Sequence, residues 1–244
     1  MSQLLVVTLA SIATALATGL GALPLLAGKT FNKGWLGIAS GITAGIMLAA
    51  SFRLINEGLA IGEFRTIAGI VVGALLIWFF QRFVTQDDEE FFSDMASGGR
   101  RAFLVLGVMT LHSFAEGLGV GVSFGGAEGF GLFIAIAIAI HNIPEGIAIS
   151  LVMVPKGMPV WKAALYSILS SLPQPLLAIP AFLFVTTIRA FLPIGLGIAG
   201  GAMIWMVVSE ILPDALCESD THSVGIAAAL AAAAMVTLQV ALHV

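Results

Sequence analysis

Residues 102–124, AFLVLGVMTLHSFAEGLGVGVSF, and residues 130–154, FGLFIAIAIAIHNIPEGIAISLVMV, decide the fold. A bilayer core of ~30 Å needs ~20 apolar residues per helix, and both stretches meet that length. Each also carries a histidine and a glutamate four positions apart in its interior: His112 and Glu116, then His141 and Glu145. On an α-helix that spacing is one turn along one face. Ionisable side chains at membrane depth are expensive, so their presence points to function. The words His112-Ser113-Phe114-Ala115-Glu116-Gly117 and His141-Asn142-Ile143-Pro144-Glu145-Gly146 begin 29 residues apart and share one pattern. Facing each other, they would offer two imidazoles and two carboxylates, a donor set that Zn²⁺ accepts in a tetrahedral shell. The charge balances as well, with Glu116 and Glu145 offsetting a dication while both imidazoles stay neutral, as a low-dielectric site requires. Binding is expected to displace protons, so affinity should depend on pH.

The rest of the chain agrees. Of 244 residues, 59% are hydrophobic and 10% charged, and the mean hydropathy is +1.07; a soluble domain carries about 25% charged residues. The expectation is an all-α polytopic membrane protein, a single transmembrane domain over residues 1–244. Eight apolar segments can be drawn, near 4–27, 35–55, 66–85, 102–124, 130–154, 160–188, 192–213 and 223–242. The first lacks a basic leader region and reads as a transmembrane helix rather than a cleaved signal. A polar loop occupies about 86–101; its acids Asp87 to Glu90 read as a solvated face or a weak cation-gathering run. With eight helices both termini share one side. Placing them outside puts Lys29, Lys33, Arg82, Arg100, Arg101, Lys156 and Lys162 inside, against Arg53, Arg65 and Arg189 outside, as the positive-inside rule favours. The single cysteine, Cys217, excludes an intramolecular disulfide and a cysteine-based zinc module. Without a basic stripe, nucleic acid is not an expected partner.

Further polar residues surround the central pair. Pro144 cannot donate to the carbonyl of Ile140, so the fifth helix is expected to kink beside the site. Ser170-Ser171-Leu172-Pro173-Gln174-Pro175 begins 29 residues after His141 and repeats the word without charge, with Gln174 in the place of Glu145. It could hydrate an ion but adds no negative charge. Glu210 reads equally as an intramembrane waystation and as a helix-end carboxylate reaching water. Gly117 and Gly121 form a small-xxx-small pair that permits close helix approach. Met47 and Ser51 share a face of the second helix, either along a path or in the core. His222 and His243 read as incidental.

On these two words the chain resembles the ZIP (Zrt/Irt-like protein) family of divalent metal transporters, over nearly its whole length. The resemblance implies a bundle with inverted repeats of helices 1–3 and 6–8 around helices 4–5. It implies a primary metal site at His112, Glu116, His141 and Glu145, and import toward the cytoplasm, often by a homodimer. It also implies a second metal position at Ser113, Asn142 and Gln174, sharing Glu116 and Glu145. There the chain departs from the binuclear pattern, with Ser113, Asn142 and Gln174 replacing an Asn-, an Asp- and a Glu-type residue. Two lost carboxylates leave a second dication uncompensated, so one ion is expected. Glu210 matches a further metal contact near the inner exit.

The expected function is therefore transport of Zn²⁺ or a similar dication (Fe, Mn, Cd, Co) by alternating access across a lipid bilayer, with the ion as substrate and no cofactor. The expected location is a cell (inner) membrane. The alternatives are a passive metal-selective channel with the same ligands, a metal sensor, and an intramembrane metalloenzyme. Against the last, no His-Glu-x-x-His word is present, and the His-before-Glu order reverses that of di-iron carboxylate sites.

Overall fold

The computed structural model describes residues 2–27, 33–86, 97–126, 128–154 and 157–241, and these contain helices and short connections but no strand. In chain order the helices are α1 (Gln3–Leu20), α2 (Lys33–Ile61), α3 (Glu63–Gln86), α4 (Ser97–Gly126), α5 (Glu128–Met153), α6 (Val160–Ser170), α7 (Pro173–Thr187), α8 (Leu192–Met206), α9 (Leu212–Glu218) and α10 (Thr221–Ala241). In hydrocarbon every peptide group must be bonded internally, which leaves an apolar chain little alternative to helix. Among the described residues seven segments have the length and apolarity to cross a bilayer: Gln3–Leu26, Gly34–Ile61, Glu63–Arg82, Gly129–Leu151, Val160–Thr187, Arg189–Glu218 and Thr221–Ala241. Residues 87–96 of the expected polar loop lie outside the described residues, and its flanks are helical, with Gln86 ending α3 and α4 beginning at Ser97. Helical hydrogen bonding does not need apolar side chains, so a helix can outrun its hydropathy.

Two expected spans are interrupted. Between α6 and α7 the chain turns at Ser171 and Leu172. Pro173 and Pro175 follow, and neither can bond back to the preceding turn. Between α8 and α9 lies a π turn, Val207–Ile211, in which the Leu212 N–H bonds to the Val207 carbonyl five residues back. Pro213 stands just beyond it, and a widened turn accommodates its ring. By contrast, α5 continues as one helix through Pro144.

The helices pack as two sets. One comprises α1, α4, α5, α6 and α7; the other comprises α2, α3, α8, α9 and α10. They meet chiefly where α4 lies on α8 and α2 on α5. In their most apolar windows α3 and α10 are only 22% and 17% buried, against 67% for the segment containing α8, so α3 and α10 are peripheral.

Small residues set the spacing around the site. A Cβ on Gly117 would lie 2.6 Å from the Gln174 carbonyl oxygen, and one on Gly146 would lie 2.8 Å from the Thr18 carbonyl carbon. Glycine at these points lets α4 lie against α7 and α5 against α1 at backbone contact. The buried apolar core runs through Met47 and Leu54 of α2, Val120 and Phe124 of α4, Phe133 and Ile134 of α5, and Leu196 and Met203 of α8. Met47 thus belongs to the core, and Ser51 is buried with its hydroxyl bonded back to the Met47 carbonyl at 2.7 Å.

Candidate metal centre

The site is built from neighbouring faces of α4 and α5. His112 and Glu116 project from one, His141 and Glu145 from the other, each pair one helical turn apart. One ligand atom from each residue can be chosen so that all four lie within 4.8 Å of one another. All four side chains are buried, Glu116 and His141 completely.

The contacts within the cluster are uneven. His141 Nε2 meets Glu116 Oε1 directly. His112 Nε2 lies 3.0 Å from Glu145 Oε1 and 3.9 Å from Glu116 Oε1, but the first contact lacks the alignment of a hydrogen bond. His112 Nε2, His141 Nδ1 and Glu145 Oε1 have no hydrogen-bond partner among the described residues. Buried polar atoms are normally satisfied, because leaving one bare costs about 1–3 kcal/mol. Two imidazoles and two carboxylates with unspent lone pairs suit a dication, and the absence of sulfur favours borderline or hard first-row ions.

The other sequence-selected residues fall into three situations. Asn142 and Gln174 join the cluster through amide hydrogen bonds. Asn142 Nδ2–H donates to the Thr14 carbonyl at 2.8 Å and to Gln174 Oε1 at 3.2 Å, and Gln174 Nε2–H donates to Glu116 Oε2. Ser113 is buried on α4, with no hydrogen-bond partner for its hydroxyl among the described residues. Glu210 stands on the π turn and approaches the cluster from the other helix set, with Oε2 3.9 Å from His112 Nδ1. His222 is exposed, and His243 lies outside the described residues.

A cavity of about 330 Å³ adjoins the cluster. Its lining includes His112, Pro144, Glu145, Ser209, Glu210 and Asp214, together with Ser40 and Thr43 of α2. On the opposite side of the cluster lies the apolar core, where Met47, Leu54, Phe133, Ile134 and Met203 are each no more than 1% exposed. The centre thus borders a cavity on one side and packed apolar side chains on the other.

Some participants were not visible in the residue pattern. Gln81 Nε2–H of α3 donates to Glu210 Oε1 at 2.6 Å, and Trp205 Nε1–H of α8 donates to Gln81 Oε1 at 2.8 Å. A glutamine within an apolar helix is itself a signal of function. Thr18 Oγ1 and Ser171 Oγ lie 2.7 Å apart and tie α1 to the turn before α7. The Thr14 carbonyl carries no trace in side-chain identity.

Comparison with known proteins gives a consistent picture. The family described as ZIP zinc transporter matches residues 84–239. A protein of Arabidopsis thaliana named for zinc transport is 47% identical over 95% of this chain, which spans only 38% of that protein's length. The zinc transporter GufA of Myxococcus xanthus is 31% identical over 84% of this chain and 86% of its own. The zinc transporter ZupT of Oceanobacillus iheyensis is 31% identical over 91% of this chain and 92% of its own.

Proposed function

Because the chain belongs to the ZIP zinc transporter family, we propose that it carries Zn²⁺ or a closely similar dication across a membrane. The ion binds at His112, Glu116, His141 and Glu145. The observation that carries this reading is the convergence of four buried ligand atoms within 4.8 Å. Tetrahedral zinc with bonds of ~2.0 Å separates its ligands by about 3.3 Å, so the cluster needs only a modest contraction to close around an ion. Glu116 and Glu145 compensate its charge, and the direct contacts between imidazoles and carboxylates give way to contacts with the cation.

One ion is held. Gln174 places an N–H, not a carboxylate, against Glu116 Oε2. That donor sits where a second cation would need negative charge.

The bundle has eight membrane spans, the seven apolar segments together with α4, whose 30 residues are ample for a crossing. Both termini lie outside. The cavity beside His112 and Glu145, with Ser40 and Thr43 of α2 and Asp214 of α9 in its lining, then faces the cytoplasmic side, and Glu210 is the contact next met by a departing ion. The buried side chains of Phe133, Ile134, Met47 and Met203 then lie toward the outer side. A centre that borders a cavity on one side and packed side chains on the other suits alternating access by relative movement of the two helix sets, rather than a continuous channel. Transport needs no bond-making step from these residues, and the relatives are named as transporters, which favours this reading over a metalloenzyme.

Uptake of radiolabelled zinc into proteoliposomes tests the proposal. The expected result is saturable uptake, inhibited by other first-row dications in an order that ranks affinity. Uptake that rises linearly with concentration to the millimolar range would favour the channel, and no uptake by folded protein would refute transport.

A further inference from the structure

Glu210 would be a poor exit ligand if its side chain were free to swing. It stands on a π turn, where the backbone ladder carries an i→i−5 bond from Leu212 to Val207, and such turns recur at functional sites. Its two oxygens have distinct neighbours. Oε1 accepts the Gln81 amide at 2.6 Å, while Oε2 is directed toward His112 Nδ1, 3.9 Å away. The amide is itself oriented by Trp205. An indole N–H can only donate, so its bond to Gln81 Oε1 at 2.8 Å fixes which end of the amide faces Glu210. Gln81, Trp205 and Glu210 all belong to the helix set of α2, α3 and α8, whereas His112 belongs to the set of α4 and α5. The three side chains therefore form a unit on one side of the boundary, and the His112–Glu210 contact crosses it.

We propose that Gln81 and Trp205 are positioning residues for ion release. They clamp one oxygen of Glu210, so that the other is presented to a dication leaving His112 across the boundary between the helix sets. This rests on the transport reading above. The clamp adds nothing to the four ligands of the resting ion. Its loss should slow departure while leaving zinc affinity at the centre unchanged.

The test uses the full-length protein in zinc-loaded liposomes. Gln81→Met keeps the length of the side chain and removes its hydrogen bonds; Trp205→Phe keeps a ring and removes the N–H. For Gln81→Met we expect maximal zinc flux about tenfold below wild type, the ratio appropriate to one lost hydrogen bond to a charged group. The half-saturating concentration should stay within about twofold, and Trp205→Phe should act in the same direction. In a Glu210→Ala background, Gln81→Met should cost nothing more, because the group it positions is gone. A merely structural role would instead lower thermal stability and flux equally in both backgrounds. Wild-type flux in Gln81→Met, or the same tenfold loss in the Glu210→Ala background, would overturn the clamp while leaving transport intact. Absence of flux in the wild type would overturn both.

Discussion

Gln174 Nε2–H donates to Glu116 Oε2, while Glu116 Oε1 meets His141 Nε2. The carboxylate at the middle of the centre is thus held from two helices, with one oxygen turned toward the ligand cluster and the other occupied by a neutral amide. Gln174 in turn accepts from Asn142, whose amide also bonds the Thr14 carbonyl. The result is a chain of hydrogen bonds from α1 through α5 and α7 to α4. This chain of neutral amides would hold the proposed metal ligands in place, and partners of this kind commonly matter about 10–100-fold for affinity.

Gln174→Glu combined with Asn142→Asp, which together supply the two carboxylates a second dication needs, should convert the proposed one-ion centre into a two-ion centre. The new carboxylate at position 174 faces Glu116 without a donor between them, so the metal-free protein should melt at a lower temperature than wild type. Zinc should restore the melting temperature, and bound zinc measured by elemental analysis should rise from about one to about two per chain, as charge compensation requires. A stoichiometry that stays at one would show that charge at these positions does not limit the number of ions.

Gly117→Ala should damage packing and site together. Its Cβ would meet the Gln174 backbone at 2.6 and 2.8 Å, and backbone cannot swing aside as a side chain can. Overpacking of this kind costs about 1–3 kcal/mol. Separation of α4 from α7 also stretches the bond between Gln174 and Glu116. The expected outcome is a lower melting temperature in detergent and weaker zinc binding in whatever folded fraction remains. A folded variant with unchanged affinity would show that the amide contact does not tune the centre.

Asp220 gives a prediction outside the membrane. It caps α10, with Ser223 N–H donating to its Oδ1 at 2.9 Å, and hydrogen bonds from Ser223 hold its carboxyl below the usual aspartate range. A group whose folded value is depressed stabilises the fold above its unfolded value of ~3.9 and loses that contribution as pH falls through the folded value. Asp220→Ala should therefore lower the melting temperature near neutrality, and the gap from wild type should narrow below about pH 4. A gap independent of pH would mean that the carboxylate charge plays no part in the cap.

Much of this arrangement is legible in the chain, for identifiable reasons. Hydropathy locates the segments, and the i,i+4 spacing of His112 with Glu116 and of His141 with Glu145 puts each pair on one face, since both signals are local. What escapes is which faces meet. Asn142 finds Thr14 across 128 residues, and Gln81 finds Glu210 across 129. Helical periodicity does not encode such pairings. The interruptions also escape a hydropathy reading, because Pro173 and Pro213 act through the backbone hydrogen bonds they cannot make, within segments that remain apolar. Pro144 attracts attention for the same reason, and it lies inside a helix that continues past it.

The most direct test of the central claim is zinc uptake into proteoliposomes by Glu116→Ala and His141→Ala beside wild type, with each protein shown to be folded by circular dichroism and gel filtration. If the dication passes through this centre, both variants should lose uptake by more than about tenfold, the least expected when even a supporting partner of a metal ligand is removed. Folded variants that take up zinc at the wild-type rate would contradict the account.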